Sequence, residues 1–250
     1  MLQLSVIVIT KNEAHNIELC LQSVNFADEV VVLDSGSSDG TVEMAKSMGA
    51  TVHLNADWQG FGVQKNRALA IAAGQWVLSV DADEKVTPEL KAEIEAAVQS
   101  SQFDVYNIPR LSSYCGQYMR YSGWSPDLTA RLFRRGTAQF SHDLVHEKLV
   151  TSRPVGQLRG HLLHESFTSF EAVLDKANRY STAGAQVAFA KGKKASLSKA
   201  LTHGLWAFFR TYVLRRGFLD GRMGLVLAIS NAEGTYYRYL KLWLMTRPQR

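Results

Sequence analysis

The first hundred residues alternate short β-branched runs with stretches of helical periodicity, a pattern that restricts the chain to βαβ units around a mostly parallel sheet. Residues 4–9, 30–33, 51–54 and 76–80 read as strands. Between them Ile17, Leu21 and Val24 recur at helical spacing, as do Val42, Ala45 and Met48, and Thr87-Pro88-Glu89 opens a further helix as cap and first turn. The fold class expected is an α/β open sheet with helices on its faces. Ligands of such sheets bind beyond the carboxyl ends of the strands, which here are followed by residues 10–13, 34–40 and 81–84.

Past residue 100 the pattern changes. Residues 104–164 carry short strand candidates, 105–108 and 130–133, among loops rich in Gly, Tyr, Trp and His. Three helical patterns follow from Thr168: one through Ala190, one over 198–214 and one over 223–244. The expected division is an α/β domain over residues 1–165, with halves at 1–100 and 101–165, and a helical extension over 166–250. A chain of 250 residues, 46% hydrophobic, is long enough for one such core with appendages.

The apolar run at 4–9 has no basic residue before it and no small-residue cleavage site before Lys11, so it reads as a buried strand and not a signal peptide. The C-terminal apolar patterns are interrupted by Arg210, Arg215, Arg216, Arg222 and Glu233, which argues against a spanning helix. Cys20 and Cys115 lie far apart and without metal-ligand spacing, consistent with a reducing, cytoplasmic setting. Charge is distributed unevenly. Residues 1–190 hold 16 Lys and Arg against 21 Asp and Glu, whereas 191–250 hold 12 against 2. A basic segment interleaved with large apolar and aromatic residues suits an anionic membrane surface better than nucleic acid, which makes peripheral association with a membrane the expectation.

The sharpest chemical signal is Asp81-Ala-Asp83-Glu84, directly after an apolar strand. Two carboxylates two residues apart at a strand end offer hard oxygen ligands for Mg²⁺ or Mn²⁺ holding a diphosphate. The same spacing alone also fits capping ahead of Thr87-Pro88. Two earlier strand ends raise its rank. Thr10-Lys-Asn12-Glu13 offers short polar groups for a ribose or base, and Asp34-Ser-Gly-Ser-Ser-Asp-Gly-Thr41 places a carboxylate after four apolar residues. Burial of Asp34 requires a partner such as a ligand N–H, while Asp39 to Thr41 also fit an Asp-Gly turn with Thr41 as cap.

These three clusters together resemble the family 2 glycosyltransferases of the GT-A fold. Trp58-Gln-Gly-Phe-Gly62, Ser122-Gly-Trp-Ser-Pro-Asp127, Leu144-Val-His-Glu-Lys-Leu149 and Phe218-Leu-Asp-Gly221 are similar to the lipopolysaccharide core β-1,4-glucosyltransferase branch. The resemblance implies that Asp34 binds the uracil N–H of a UDP-sugar, Thr10, Asn12 and Glu13 the nucleoside, and Asp81 the ribose. It implies that Asp83 binds the metal at the diphosphate, with Lys65 and Arg67 near phosphate; Arg67 also fits a solvated helical charge. An inverting transfer needs a base for the acceptor hydroxyl. Glu147 is the expected base, with Asp143 as the alternative, and the competing role for Glu147 is pairing with Lys148 or Arg131. His164 is a candidate to complete the metal sphere. Trp124, with Tyr121 and Pro126, fits either a wall against an acceptor sugar or core packing. Arg131, Arg134 and Arg135 fit acceptor phosphates or surface charges.

The expected activity is inverting transfer of glucose from UDP-glucose to a heptose of the lipopolysaccharide inner core, on a lipid-linked acceptor. Galactose or N-acetylglucosamine as the donor sugar, or another lipid-linked glycan as acceptor, stays open at this point. Two rival classes were weighed. A zinc hydrolase built on His142, His146, His161 and His164 lacks a His-Glu-x-x-His spacing. A nucleotide-binding module with a membrane or nucleic-acid tether lacks Gly-x-Gly-x-x-Gly after the first strand.

Overall fold

A computed structural model of the chain describes residues 2–143 and 147–247. The chain forms two compact units, Met1–Arg110 with Asp127–His164, and Leu111–Pro126 with Glu165–Arg250. One break lies one residue from the division expected after 165, whereas Leu111–Pro126 groups with the C-terminal helices.

In the first unit, β1 (Leu4–Thr10), β2 (Glu29–Asp34), β3 (Thr51–Leu54) and β4 (Trp76–Asp81) pair in parallel in the order β3-β2-β1-β4. Helices α1 (Ile17–Ser23), α2 (Thr41–Ser47) and α3 (Phe61–Ile71) make the crossovers. β1 is buried along nearly its whole length because both faces are covered. Alternate residues separate the two layers. Val6 and Val8 pack with Ile17 and Leu21 of α1 and with Leu90 and Ile94, whereas Ile7 packs with Ala68 of α3. Register then puts Thr10 beside Asp34 and Ile9 beside Asp81, so these strand tips share one edge.

After β5 (Glu84–Val86), α4 (Pro88–Ser100) starts as the sequence leads one to expect, with the Thr87 side chain accepting from the Leu90 N–H. β6 (Val105–Tyr114) pairs antiparallel with both β7 (Gln117–Tyr118) and β8 (Asp127–Arg134), and β8 pairs antiparallel with β4. β9 (Gln139–Phe140) and β10 (Leu149–Val150) make a small separate sheet. β11 (Val155–Gln157) lies beside β6, and β12 (Leu162–Phe167) sets His164 opposite Glu84. Two expectations need correction here. Thr41 is not the cap of α2: Gly40 holds that position at φ +88°, and the Asp39 carboxylate accepts from the Thr41 N–H and hydroxyl. β6 runs six residues past Ile108, through Pro109 and Arg110.

The second unit is built on α5 (Phe170–Ala190), α6 (Leu197–Phe209) and α7 (Gly221–Thr246), with a π-helical turn at Arg210–Leu214 and a 3-10 turn at Gly217–Asp220. Lys241 of α7 donates to the Asn178, Ser181 and Thr182 side chains of α5 at 2.7–2.8 Å. Gly204 of α6 lies so close to α7 that an added Cβ would sit 3.2 Å from the Tyr236 Cβ. Two segments singled out in the sequence meet here for packing reasons. Buried Asp220 accepts from the Arg120 and Tyr121 N–H groups and from the Ser122 hydroxyl. Among the described residues no helix is long and apolar enough to cross a membrane, and both cysteines are free.

Candidate active site

The strand-tip loops are built from their own short polar side chains. Asp34 is fully buried, and each of its oxygens is doubly bonded: Oδ1 accepts from the Gly36 and Ser37 N–H groups at 2.9 and 2.8 Å, Oδ2 from the Thr10 hydroxyl at 2.8 Å and from the Ser37 hydroxyl. Burial opposes the charge, and the bonds from Ser37, Thr10 and Gly36 outweigh it, holding the carboxyl below the usual carboxylate range. The partner that burial of Asp34 demands is therefore supplied from within. Asn12, at φ +57°, ties the first loop to the second: its N–H donates to Ser37 Oγ and its Oδ1 accepts from the Ser38 N–H. The Glu13 N–H donates to Thr41 Oγ1. Burial raises the Glu13 carboxyl; Asn16 opposes this, and Asp83, Asp39 and Asp81 add to it.

Beyond β4 lies a network of alternating charges. Lys65 Nζ stands 2.8 Å from Asp81 Oδ1 and 2.7 Å from Glu147 Oε1, with its own side chain 5% exposed. Arg131 Nη2 stands 2.7 Å from Asp81 Oδ2 and 2.9 Å from Glu84 Oε1. Burial works against the charge on Asp81, and Arg131 and Lys65 more than reverse it, so this carboxyl is held well below its ordinary value. Glu84, fully buried, accepts from the Asp81 N–H at 2.9 Å, and Arg110 Nη1 lies 3.6 Å away. Arg110 in turn meets Asp127 at 2.7 Å.

This geometry alters several expectations. Asp81 and Asp83 have different partners: Asp81 pairs with Lys65 and Arg131, while Asp83 Oδ2 lies 3.2 Å from His164 Nε2. Arg131 is neither a surface charge nor directed at an acceptor phosphate, because its guanidinium is buried and shared between two carboxylates. Glu147 pairs with Lys65, a partner 82 residues away, and its charge also acts on Arg131. Arg67 donates to Asp57, Asn55 and Gln64, bracing residues 55–57. Between them Asn66 exchanges two hydrogen bonds with the Phe140 backbone, which fixes β9 against α3. Asp143 is exposed and accepts from the Ser141 hydroxyl. Trp124 belongs to the second unit, where its ring lies 5.7 Å from Tyr114 and 6.2 Å from Phe167.

Glu84, Arg110 and Asp127 also belong to the network, a part that spacing does not indicate for them. An arginine in the apolar run of β8 was the available signal, since a buried guanidinium demands carboxylates nearby. Among the described residues no group of three or more His, Cys, Asp or Glu is placed to hold a metal. His146 lies outside them. Asp83 nevertheless offers the kind of carboxylate that Mg²⁺ or Mn²⁺ takes beside water and phosphate oxygens, and His164, 3.2 Å from it, is a nitrogen donor within reach of the same ion.

Gly62 also bears on the site. A Cβ there would fall 1.8 Å from the Ser141 carbonyl oxygen and 3.4 Å from the Glu147 Cβ. Gly62→Ala is therefore expected to displace the segment carrying Glu147 and to destabilise the fold by about 1–3 kcal/mol, read from the urea midpoint. An unchanged midpoint would show that residue 141 yields freely.

Residues 5–154 match the glycosyl transferase family 2 model, and the chain belongs to that family of enzymes. It is 34% identical over 255 residues to an uncharacterized glycosyltransferase of Rickettsia prowazekii (strain Madrid E), covering 97% of this chain and 87% of the relative. It is 29% identical over 257 residues to LpsC of Rhizobium meliloti (strain 1021), a lipopolysaccharide core biosynthesis glycosyltransferase, covering 95% and 93%. Among solved structures, TarS 1–349 of S. aureus is 16% identical over 99% of this chain and 93% of that one, with a TM-score of 0.49. The chain is thus a glycosyltransferase, which removes the zinc hydrolase and the non-catalytic module from consideration.

Proposed function

We propose that this enzyme transfers glucose from UDP-glucose to a heptose of the lipopolysaccharide inner core, inverting the anomeric carbon to give a β-1,4 linkage. The observation that carries the reading is the joining of Asp81, Lys65, Glu147 and Arg131 in one hydrogen-bonded network beyond a parallel strand, next to the loops of Thr10 and Asp34. Likeness to LpsC over nearly the whole chain supports the acceptor class.

On this reading Thr10, Asn12, Glu13 and Asp34 form the nucleoside corner, and Asp81 receives the ribose. Arg131 is a positioning residue, holding Asp81 ionised and fixed in orientation. Lys65 faces the diphosphate while paired with Glu147, and Arg67 keeps the neighbouring loop in place. Asp83 and His164 would hold the divalent cation, which when bound neutralises charge on the leaving diphosphate. Glu147 takes the proton of the acceptor hydroxyl as its oxygen bonds to the anomeric carbon; the glycosidic electron pair leaves with UDP. Trp124 offers a ring face to an acceptor sugar.

An anionic bilayer is the proposed location of the acceptor, at the cytoplasmic face of the inner membrane. In support, Leu201, Leu205, Phe209, Val213 and Leu214 are exposed on α6 and the turn after it, with Arg215 and Arg216 following them. Calorimetry with UDP-glucose, UDP-galactose and UDP-N-acetylglucosamine, with and without Mn²⁺, tests the donor. UDP-glucose is expected to bind tightest, with an enhancement by Mn²⁺ that Asp83→Ala removes. Binding of none of the three would overturn the reading.

A further inference from the structure

In the second unit α5, α6 and α7 line an open cavity of about 670 Å³, a volume in the range of small-molecule sites. Its chemistry is one-sided. Lys176, Arg210 and Arg238 line it, and no Asp or Glu does among the described residues. Ser181 and Ser230 are buried hydroxyls in its wall, and the Ser230 and Tyr114 hydroxyls share a hydrogen bond of 2.7 Å. Flat ring faces complete the lining: Trp206 is half exposed, and Tyr239 is held by stacking on His203 at 4.2 Å. Gly234 leaves the wall open, since a Cβ there would meet only the Ala177 Cβ at 3.9 Å.

Guanidinium forks match phosphate, aromatic faces match the C–H face of a sugar ring, and hydroxyls match its O–H groups. An uncharged lipid tail would give the guanidinium groups of Arg210 and Arg238 no counter-charge in this lining. We propose that this cavity binds a phosphate-bearing sugar of the acceptor glycan. The proposal rests on the acceptor reading above, to which it adds the chemical feature recognised and the residues that recognise it. Trp124, for which the sequence leaves an acceptor-sugar wall and core packing both open, lines the same cavity.

The test is calorimetry on the full chain with three probes: deacylated, phosphorylated inner-core oligosaccharide; the same oligosaccharide after phosphatase treatment; and inorganic phosphate. UDP-glucose affinity is measured in parallel as the control. The phosphorylated oligosaccharide is expected to bind. Phosphatase treatment, or Arg210→Gln with Arg238→Gln, is expected to weaken it roughly tenfold or more, with UDP-glucose affinity unchanged. Gly234→Leu, which fills the cavity without removing charge, is expected to weaken the oligosaccharide similarly and so guards against misfolding of the arginine variants. Equal affinity for the two oligosaccharides, or parent-like affinity in all variants, would overturn the proposal and leave the transferase reading standing. Binding only of intact, acylated glycan in micelles would assign recognition to the lipid and overturn it too. Failure of UDP-glucose to bind the parent chain would count against the donor reading, with the cavity still judged by the oligosaccharide.

Discussion

Glu147→Gln is expected to keep the donor affinity of the parent chain and to slow the proposed sugar transfer about 10²–10⁴-fold. The amide keeps the shape of the side chain and can still accept a hydrogen bond from Lys65, but it cannot take a proton. Lys65 also retains its 2.8 Å contact with Asp81, so the donor corner has no reason to loosen. Asp143→Asn is the comparison, since that carboxylate is exposed and bonded to Ser141. Normal transfer by Glu147→Gln together with loss in Asp143→Asn would exchange the two assignments. Loss of donor binding in Glu147→Gln would instead make the residue part of the nucleotide site.

Arg131→Leu is expected to cost about 3–5 kcal/mol of folding stability, because it strands the carboxylates of Asp81 and Glu84 without their shared counter-charge. Glu84 is fully buried, and of its remaining partners Arg110 stands at 3.6 Å. Urea unfolding measures the loss. Adding Glu84→Leu to Arg131→Leu is expected to restore part of it, since an apolar replacement of a buried pair is tolerated far better than half of one. A loss under 1 kcal/mol in the single variant would mean that water reaches Glu84 and that the arginine is not what holds this part of the sheet together.

The parallel half of the fold was readable because burial on both faces leaves an unbroken apolar signature. β1 to β4 were all located within a residue or two at their ends. The edges of β6 and β8 were not. Polar and apolar residues mix at residues 109–114 and 127–129, and Pro109 discourages a strand assignment, although pairing with Leu128 accommodates it. The helical pattern over 198–214 is continuous in sequence, whereas the helix changes to a π-turn at Arg210, a distinction of hydrogen bonding that side-chain periodicity does not carry.

Legibility at the site followed a similar line. Residue type and position after a strand singled out Thr10, Asp34, Asp81 and Asp83, because strand ends are where such sheets put ligands. Which group touches which was hidden. Lys65 meets Glu147 across 82 residues, and Arg131 meets Asp81 across 50. Partner choice at those separations depends on sheet register and helix crossings, to which local patterns are blind. Asp34 illustrates the other limit: its need for partners was evident, yet whether loop or ligand meets that need is decided by backbone geometry.

The internal bonding of Asp34 has a kinetic corollary. The Gly36 and Ser37 N–H groups bond to Asp34 and the Ser38 N–H to Asn12, so on the proposed reading a nucleotide at this corner meets a loop that is already tied down. Little conformational entropy is lost on capture, and association at this corner is then governed by diffusion and electrostatic attraction, with discrimination expressed chiefly in how long each nucleotide stays.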